Sequence, residues 1–460
     1  MTASPSRALL ESLFQAAVAG ADPGAATAEA LRRIPTMRHQ RIWLFAIGKA
    51  AHPMAGAAAA ALQRSLVTVT GGLVVAPEDG PAPVATVQVL RGNHPVPGRD
   101  SFAAAAALAD AAGGMRSNDL ALVLLSGGAS SLIGAPLRGM GEADFSHLYE
   151  MVLNSGMDIH EMNTVRKRFS RWGGGRLALA LAPATTYCLA ISDVSGDDIS
   201  SIGSGPCAPD PHTVRDVIEI LQRNRLQHRL APSFRDHLQG TQRGLVPETP
   251  KPTHPAFAHV ISQVVANNRV ALDAARARAE ELGVTQVTVA DAPLQGNAAD
   301  AGAALARALI ARRAHSDGQG SVLVCGGEST VNVPHPMLTP GLRARSEGGS
   351  LPPMPLPRGG RCQELALSAA RVLDEAGDAA HGITLLAAGT DGRDGPTDAA
   401  GAIVDAHTWG AIRAAGRDPD AALASHESYG ALDVAGALLR TGPTGTNVAD
   451  VVIGYVAPRD

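Results

Sequence analysis

Two cations stand where a helix start should repel them. Lys49, in RIWLFAIGKAAHPMA, follows an apolar run and leads into an alanine-rich stretch; Arg361, in GGRCQELALSAARVLDEA, opens a second one. The amino end of a helix carries partial positive charge, so a cation there is misplaced by about 0.3–1 kcal/mol when exposed. An anion held nearby turns that repulsion into attraction, and each residue is therefore a candidate phosphate or carboxylate ligand. A solvated surface cation is the competing reading, and spacing alone leaves both open. The Gly48-Lys49 pair is not a P-loop, because Trp43 and Ala50 replace the first glycine and the hydroxyl residue that motif requires.

Three further junctions mix glycine with polar groups after apolar runs: Ser126-Gly127-Gly128-Ala129-Ser130-Ser131, Gly326-Gly327-Glu328-Ser329-Thr330 and Gly389-Thr390-Asp391-Gly392-Arg393-Asp394-Gly395. Glycine lets backbone amides approach an anion, and serine hydroxyls add donors. A fourth junction, Asp193 through Gly196-Asp197-Asp198, is acidic. Asp193, Asp197, Asp198, Asp391, Asp394 and Asp398 offer oxygen ligands for Mg²⁺, or serve as turn formers and helix caps. His94, in RGNHPVPG, occupies a conformationally fixed polar corner after another apolar run.

Several chemistries are excluded or weakened. Gly203-Ser204-Gly205-Pro206-Cys207-Ala208 matches the dinucleotide fingerprint by letter, but Pro206, Pro209 and Pro211 deny it a helix opening. No G-x-S-x-G elbow surrounds the serines and no H-E-x-x-H pair occurs. The four cysteines form no C-x-x-C pair, which speaks against zinc knuckles and disulfides and fits a reducing cytoplasm. A net charge of −4 and few aromatics exclude nucleic acid as a partner. No apolar window is long enough for a membrane span, and the start MTASPSRALLESLFQAA does not read as a signal peptide.

The elements that must position these groups alternate. Strand-like runs WLFAI, GLVVA, VQVLR, LALVLLS, YCLAISDV, VTQVTVAD, SVLVCGG, GITLLAAG and VADVVIGYV are separated by alanine-rich helical stretches, which predicts an α/β fold with mainly parallel sheet. Ligands in such folds collect beyond the carboxyl ends of the strands. The Pro-rich stretch GTQRGLVPETPKPTHP predicts a boundary, giving domains 1–245 and 255–460. Pro334 to Gly360 is too rich in Pro and Gly for a helix or central strand and reads as a surface excursion.

Taken in order, RGNHPVPG, LLSGGASSL, MNTVRKRFS, ISDVSGDD, GGEST, GGRCQELAL, AAGTDGRDGPTDAAGA and TGPTGTNVADVVIG resemble the class II glycerate 2-kinases with a C-terminal MOFRL domain, over nearly the whole chain. That resemblance implies two α/β domains, a Rossmann-like N-terminal domain with mainly parallel sheet and a MOFRL domain, with the active site in the cleft between them. It implies ATP- and Mg²⁺-dependent phosphorylation of D-glycerate to 2-phosphoglycerate; a homodimer is a candidate assembly. Lys49, Asp193 and Arg361 fall on the family's catalytic positions. The same motifs assign substrate or phosphate binding to Asn93, His94, Ser126, Gly127, Gly128, Ser130, Ser131, Asn163, Arg166, Lys167, Glu328, Thr330, Gln363 and Glu364, with Asp193, Asp391 and Asp394 as metal ligands. Cys362, Arg168 and Trp172 depart from the family pattern, which usually has Asn, His and Lys at these positions. The runner-up is an NAD(P)-dependent hydroxypyruvate or tartronate reductase, a label some members carry; a sugar-acid sensor is a third reading.

Overall fold

The structure is a computed structural model that describes residues 4–316, 318–331 and 358–459. Most of the irregular stretch from Pro334 to Gly360 lies outside the described residues. The chain divides into two units, one of residues 21–267 with 445–448 and one of residues 1–20, 268–444 and 449–460.

The first unit is built on a sheet of β1 (Arg41–Ile47), β2 (Val69–Ala76), β3 (Val87–Arg91), β4 (Asp119–Leu125), β5 (Thr185–Ile191) and β6 (Val260–Ala266) in the order β3-β2-β1-β4-β5-β6. Every pairing is parallel. This is the doubly wound order, and the direction of winding reverses between β1 and β4, so a crevice opens beyond their carboxyl ends. The central strands explain their own position: all seven residues of β4 are buried, as a strand covered on both faces requires. Phe45, Ile47, Leu73, Val123 and Leu125 pack with Leu108, Leu132 and Leu177 of the covering helices. A second apolar cluster, with Phe145, Tyr149, Phe169, Leu221 and Phe234, anchors the helix Ile159–Phe169.

The second unit contains β7 (Gln286–Val289), β8 (Ser321–Gly327), β9 (Ile383–Gly389), β10 (Gly401–Asp405), β11 (Leu438–Leu439) and β12 (Asp450–Val456) in the order β11-β10-β9-β12-β8-β7. This sheet is mostly antiparallel, whereas the mainly parallel sheet expected of the N-terminal domain is the one in the first unit. β12 runs antiparallel to both β8 and β9, and β9 is antiparallel to β10; only β7 with β8 is parallel. The helices Ala298–His315 and Arg361–Ala376 cover this sheet with Leu309, Leu365, Ala369 and Leu373.

The division also differs from the sequence boundary at 245–255. The Pro-rich stretch is a connector into β6, an exposed edge strand with Ile261 facing water, and the division falls after Asn267. At the other end, the helix Pro5–Gly20 packs on the helix Asn268–Glu281, and Arg7 donates to the carbonyls of Gly436 and Leu438, which ties the amino terminus to the second unit. All four cysteines are free and buried. Among the described residues, no helix is long and apolar enough to cross a membrane.

The structure accounts for two departures from the family pattern. Arg168, 1% exposed, gives Nη2 to Glu248 at 2.5 Å, and Trp172 is a core residue whose Nε1 donates to the Ala105 carbonyl. His237 packs beside Phe169, and its Nε2 has no hydrogen-bond partner among the described residues. Burial, with Arg168 and Arg176 nearby, lowers its pKa to about 4. As pH falls from about 6.5 toward 4, the unfolded chain binds a proton that the folded chain refuses, so stability is lost on acidification. His237→Phe is expected to remove about 1–2 kcal/mol of that acid-side loss, discounted for the partial exposure of the ring. Melting curves of both proteins between pH 4 and pH 7 check this.

Candidate active site

The turn after β1 admits one backbone shape. Gly48 has φ +133°, and a Cβ there would lie 2.1 Å from Ser126 Oγ. The next two amides reach across to the end of β4: Lys49 N–H donates to the Gly127 carbonyl at 2.9 Å and Ala50 N–H to Ser126 Oγ at 3.0 Å. Lys49 precedes the cap of the helix Ala51–Arg64 and is exposed, so its side chain leaves the sheet at the reversal between β1 and β4. The junction after β4 lies against it, since a Cβ on Gly128 would sit 3.1 Å from His94 Cδ2 and 3.5 Å from Lys49 Cγ.

Asp193 follows β5 and closes the same crevice. A Cβ on Gly127 would fall 2.0 Å from Asp193 Oδ2, so glycine there is what admits the carboxylate. Asn447, from the segment 445–448, donates Nδ2 to that oxygen at 3.2 Å. The neighbouring acids have other work. Asp198 accepts from the Ser200 amide and from the Ser200 and Ser201 hydroxyls, and Asp197 accepts from Asn267.

His94, exposed at the crevice, has its pKa lowered to about 4 by burial of part of the ring and by the charges of Lys49 and Arg166. It is neutral at physiological pH. Arg166 itself is buried, with its guanidinium 4.7 Å from the Tyr149 ring centre. The Tyr149 hydroxyl donates to the Ser130 carbonyl, and Ser130 Oγ meets Ser204 Oγ at 2.5 Å. One end of the first unit therefore gathers two cations, a neutral imidazole, a carboxylate and a glycine-lined turn.

The structure gives other jobs to several residues expected to touch ligand. Lys167 is 1% exposed, with Nζ 3.7 Å from Asp210 and 3.3 Å from Ser200 Oγ, a buried ion pair. Asn93 Oδ1 accepts from the amides of Asp100 and Ser101 and so caps the helix Arg99–Ala112. Asn163 bonds Ser201 and Ser204. The Ser126 hydroxyl fixes the Lys49 turn, and Ser131 Oγ donates to the Gly128 carbonyl.

In the second unit Arg361 is the first residue of its helix, and the protein itself answers the electrostatic mismatch. Nε and Nη2 form a fork on Asp450 at 2.5 and 2.9 Å, and Nη1 reaches Glu328 at 2.7 Å. Burial opposes the charged form, yet Asp450 and Glu328 hold the guanidinium pKa above its ordinary value. Asp394 caps the same helix, accepting from the amides of Cys362 and Gln363 at 3.2 and 2.8 Å. Its burial pushes the pKa up to about 7 against those hydrogen bonds, with the Asp450 charge adding to the rise.

A cavity of about 360 Å³ lies beside these groups, walled by Glu328, Arg361, Glu364, Asp394 and His426 among others. Glu364 accepts from or pairs with His426 Nδ1 at 2.8 Å, Gln363 Nε2 donates to the Asp394 carbonyl and Thr397, and the Thr330 hydroxyl donates to the Gly296 carbonyl. Glu328 and Glu364, expected to bind substrate or phosphate, are among the residues that wall this cavity. Asp193, Asp391 and Asp394, the expected metal ligands, each accept hydrogen bonds within the protein. Asp394 accepts from the amides of Cys362 and Gln363, and Asp391 accepts from the Arg393 amide. Among the described residues, no group of three or more His, Cys, Asp or Glu side chains is placed to hold a metal ion.

Tyr149, Asn447 and Asp450 carry these sites without having been singled out from sequence. TGTNVAD, which holds two of them, stands among the family-like motifs, but nothing in its spacing names their partners.

Comparison with known proteins agrees with this layout. Residues 9–239 match the domain of unknown function DUF4147, and residues 321–450 match the MOFRL family. A D-glycerate 2-kinase of Thermotoga maritima is 35% identical over 425 residues, covering 92% of this chain and 92% of its own. A protein of Agrobacterium vitis, provisionally named a hydroxypyruvate reductase, is 38% identical over 450 residues, covering 97% and 93%. The crystal structure of a glycerate kinase from Thermotoga maritima superposes with a TM-score of 0.78 at 33% identity, covering 98% of this chain and 99% of that one.

Proposed function

The chain belongs to the class II glycerate 2-kinase family, and from that premise we propose that it transfers the terminal phosphoryl group of ATP to the 2-hydroxyl of D-glycerate, giving 2-phosphoglycerate and ADP. The observation that carries the chemistry is the gathering of Lys49, Arg166, neutral His94 and Asp193 at the β1–β4 reversal. Phosphoryl transfer asks chiefly for positioning and for cations against developing charge. Lys49, exposed on a turn clamped to β4, supplies a cation for the phosphoryl oxygens. Asp193, oriented by Asn447, accepts the proton of the substrate hydroxyl. Arg361 is on a family catalytic position in the second unit, where Asp450 and Glu328 fix its plane.

Among the described residues, no group of three or more His, Cys, Asp or Glu side chains is placed to hold Mg²⁺. Mg²⁺ arriving on the nucleotide would rely mainly on the phosphates and water, which suits its preference for few protein ligands. The reductase reading has a relative's name in its favour, but β1 is followed by a single Gly-Lys turn, and Gly203–Ala208 begins inside the 3₁₀ turn Ile202–Ser204 with no strand leading directly into it.

ADP release is expected only when D-glycerate and a divalent cation are both supplied with ATP. Turnover that survives exhaustive chelation, or that ignores glycerate, contradicts the proposal, and oxidation of NADH by hydroxypyruvate supports the reductase instead.

A further inference from the structure

Three consecutive cations lie on the helix Ile159–Phe169, and two of them have acids. Lys167 holds Asp210 at 3.7 Å and Arg168 holds Glu248 at 2.5 Å. Arg166 holds none among the described residues, although only 8% of its surface is exposed. Its Nε is enclosed without an acceptor, and the aromatic face of Tyr149 covers the guanidinium. Burial lowers its pKa, opposed only by Tyr149. A guanidinium kept out of water without a counter-charge is costly, so a place that retains one is prepared for an anion from outside.

We propose that Arg166 recognises the carboxylate of the hydroxy-acid substrate, with Tyr149 as the platform that fixes its plane; this rests on the kinase reading of the same site. A planar fork matches a carboxylate with two parallel hydrogen bonds. Arg166 is recessed and held, which suits the end of the substrate that does not react, while exposed Lys49 suits the group being transferred. His94 feels both cations and stays neutral, so it adds no third positive charge. The ligand class that follows is a small 2-hydroxy acid, selected over polyols that lack the carboxylate.

The test compares wild type with Arg166→Met and Arg166→Lys. Wild type should be raised in melting temperature by D-glycerate without nucleotide, and Arg166→Met should lose that shift while melting, ligand-free, at or above wild type. Its KM for D-glycerate should rise about a hundredfold with KM for ATP within about threefold, and its preference for glycerate over glycerol should collapse. Arg166→Lys, which keeps the charge without the fork, should raise the glycerate KM about tenfold, and it carries the test if the methionine variant does not fold. A folded Arg166→Met protein that keeps the glycerate shift, or loses kcat at unchanged glycerate KM, overturns the assignment. If wild type fails to consume ATP with glycerate, the kinase reading falls, and the nucleotide-free melts still decide whether Arg166 binds the carboxylate.

Discussion

Lys49→Met is expected to leave the fold standing and to remove roughly a thousandfold of turnover. The side chain is exposed at a turn whose shape is set by Gly48, the Ser126 hydroxyl and the Gly127 carbonyl, none of which the substitution touches. Methionine nearly keeps the length, so stability should change by about 0.5 kcal/mol or less, as for most surface positions. Rate is different, because a cation aimed at a transferring phosphoryl group acts mainly in the transition state, and its loss costs about 4 kcal/mol of barrier. Steady-state turnover at saturating ATP and D-glycerate, beside a thermal melt, reads both quantities. A folded variant within about threefold of wild type returns Lys49 to the role of a wet surface cation.

Arg361→Met should behave otherwise, and destabilise the protein by roughly 3 kcal/mol. The sequence, showing a cation at a helix start, predicts an anion ligand whose removal spares the fold. The structure shows Asp450, 1% exposed, bound by both arms of the guanidinium. Removing one partner of such a pair strands the other charge, whereas removing both is often close to neutral. Asp450→Asn introduced beside Arg361→Met should therefore recover most of the lost stability without recovering turnover. Urea unfolding of the two single variants and the double variant separates these cases. Equal stability of Arg361→Met and wild type would mean that the fork on Asp450 does not hold in solution.

These two cations show how far the sequence could be read. The rule that ligands gather beyond strand ends points to Lys49, His94 and Asp193, which lie just after β1, β3 and β5. It could not show that Arg361 is held by acids of the protein itself. Asp450 is 89 residues from Arg361, and Asn447 is 254 residues from Asp193; such pairings are made by sheet order, which local pattern does not contain. The same limit hid the antiparallel entry of β12. VADVVIGYV announces a strand whichever way it runs, and direction is decided by which neighbours it joins. β6 was missed for a different reason. As an edge strand it carries Ser262 and Gln263 and follows prolines, so it lacks the apolar run by which its neighbours are found.

The most direct measurement is phosphorus NMR of the products after incubation with ATP, Mg²⁺ and D-glycerate. The account predicts ADP and a single new phosphomonoester whose coupling places it on the 2-hydroxyl. An unchanged ATP spectrum, or a phosphate carried on the 3-hydroxyl, contradicts it.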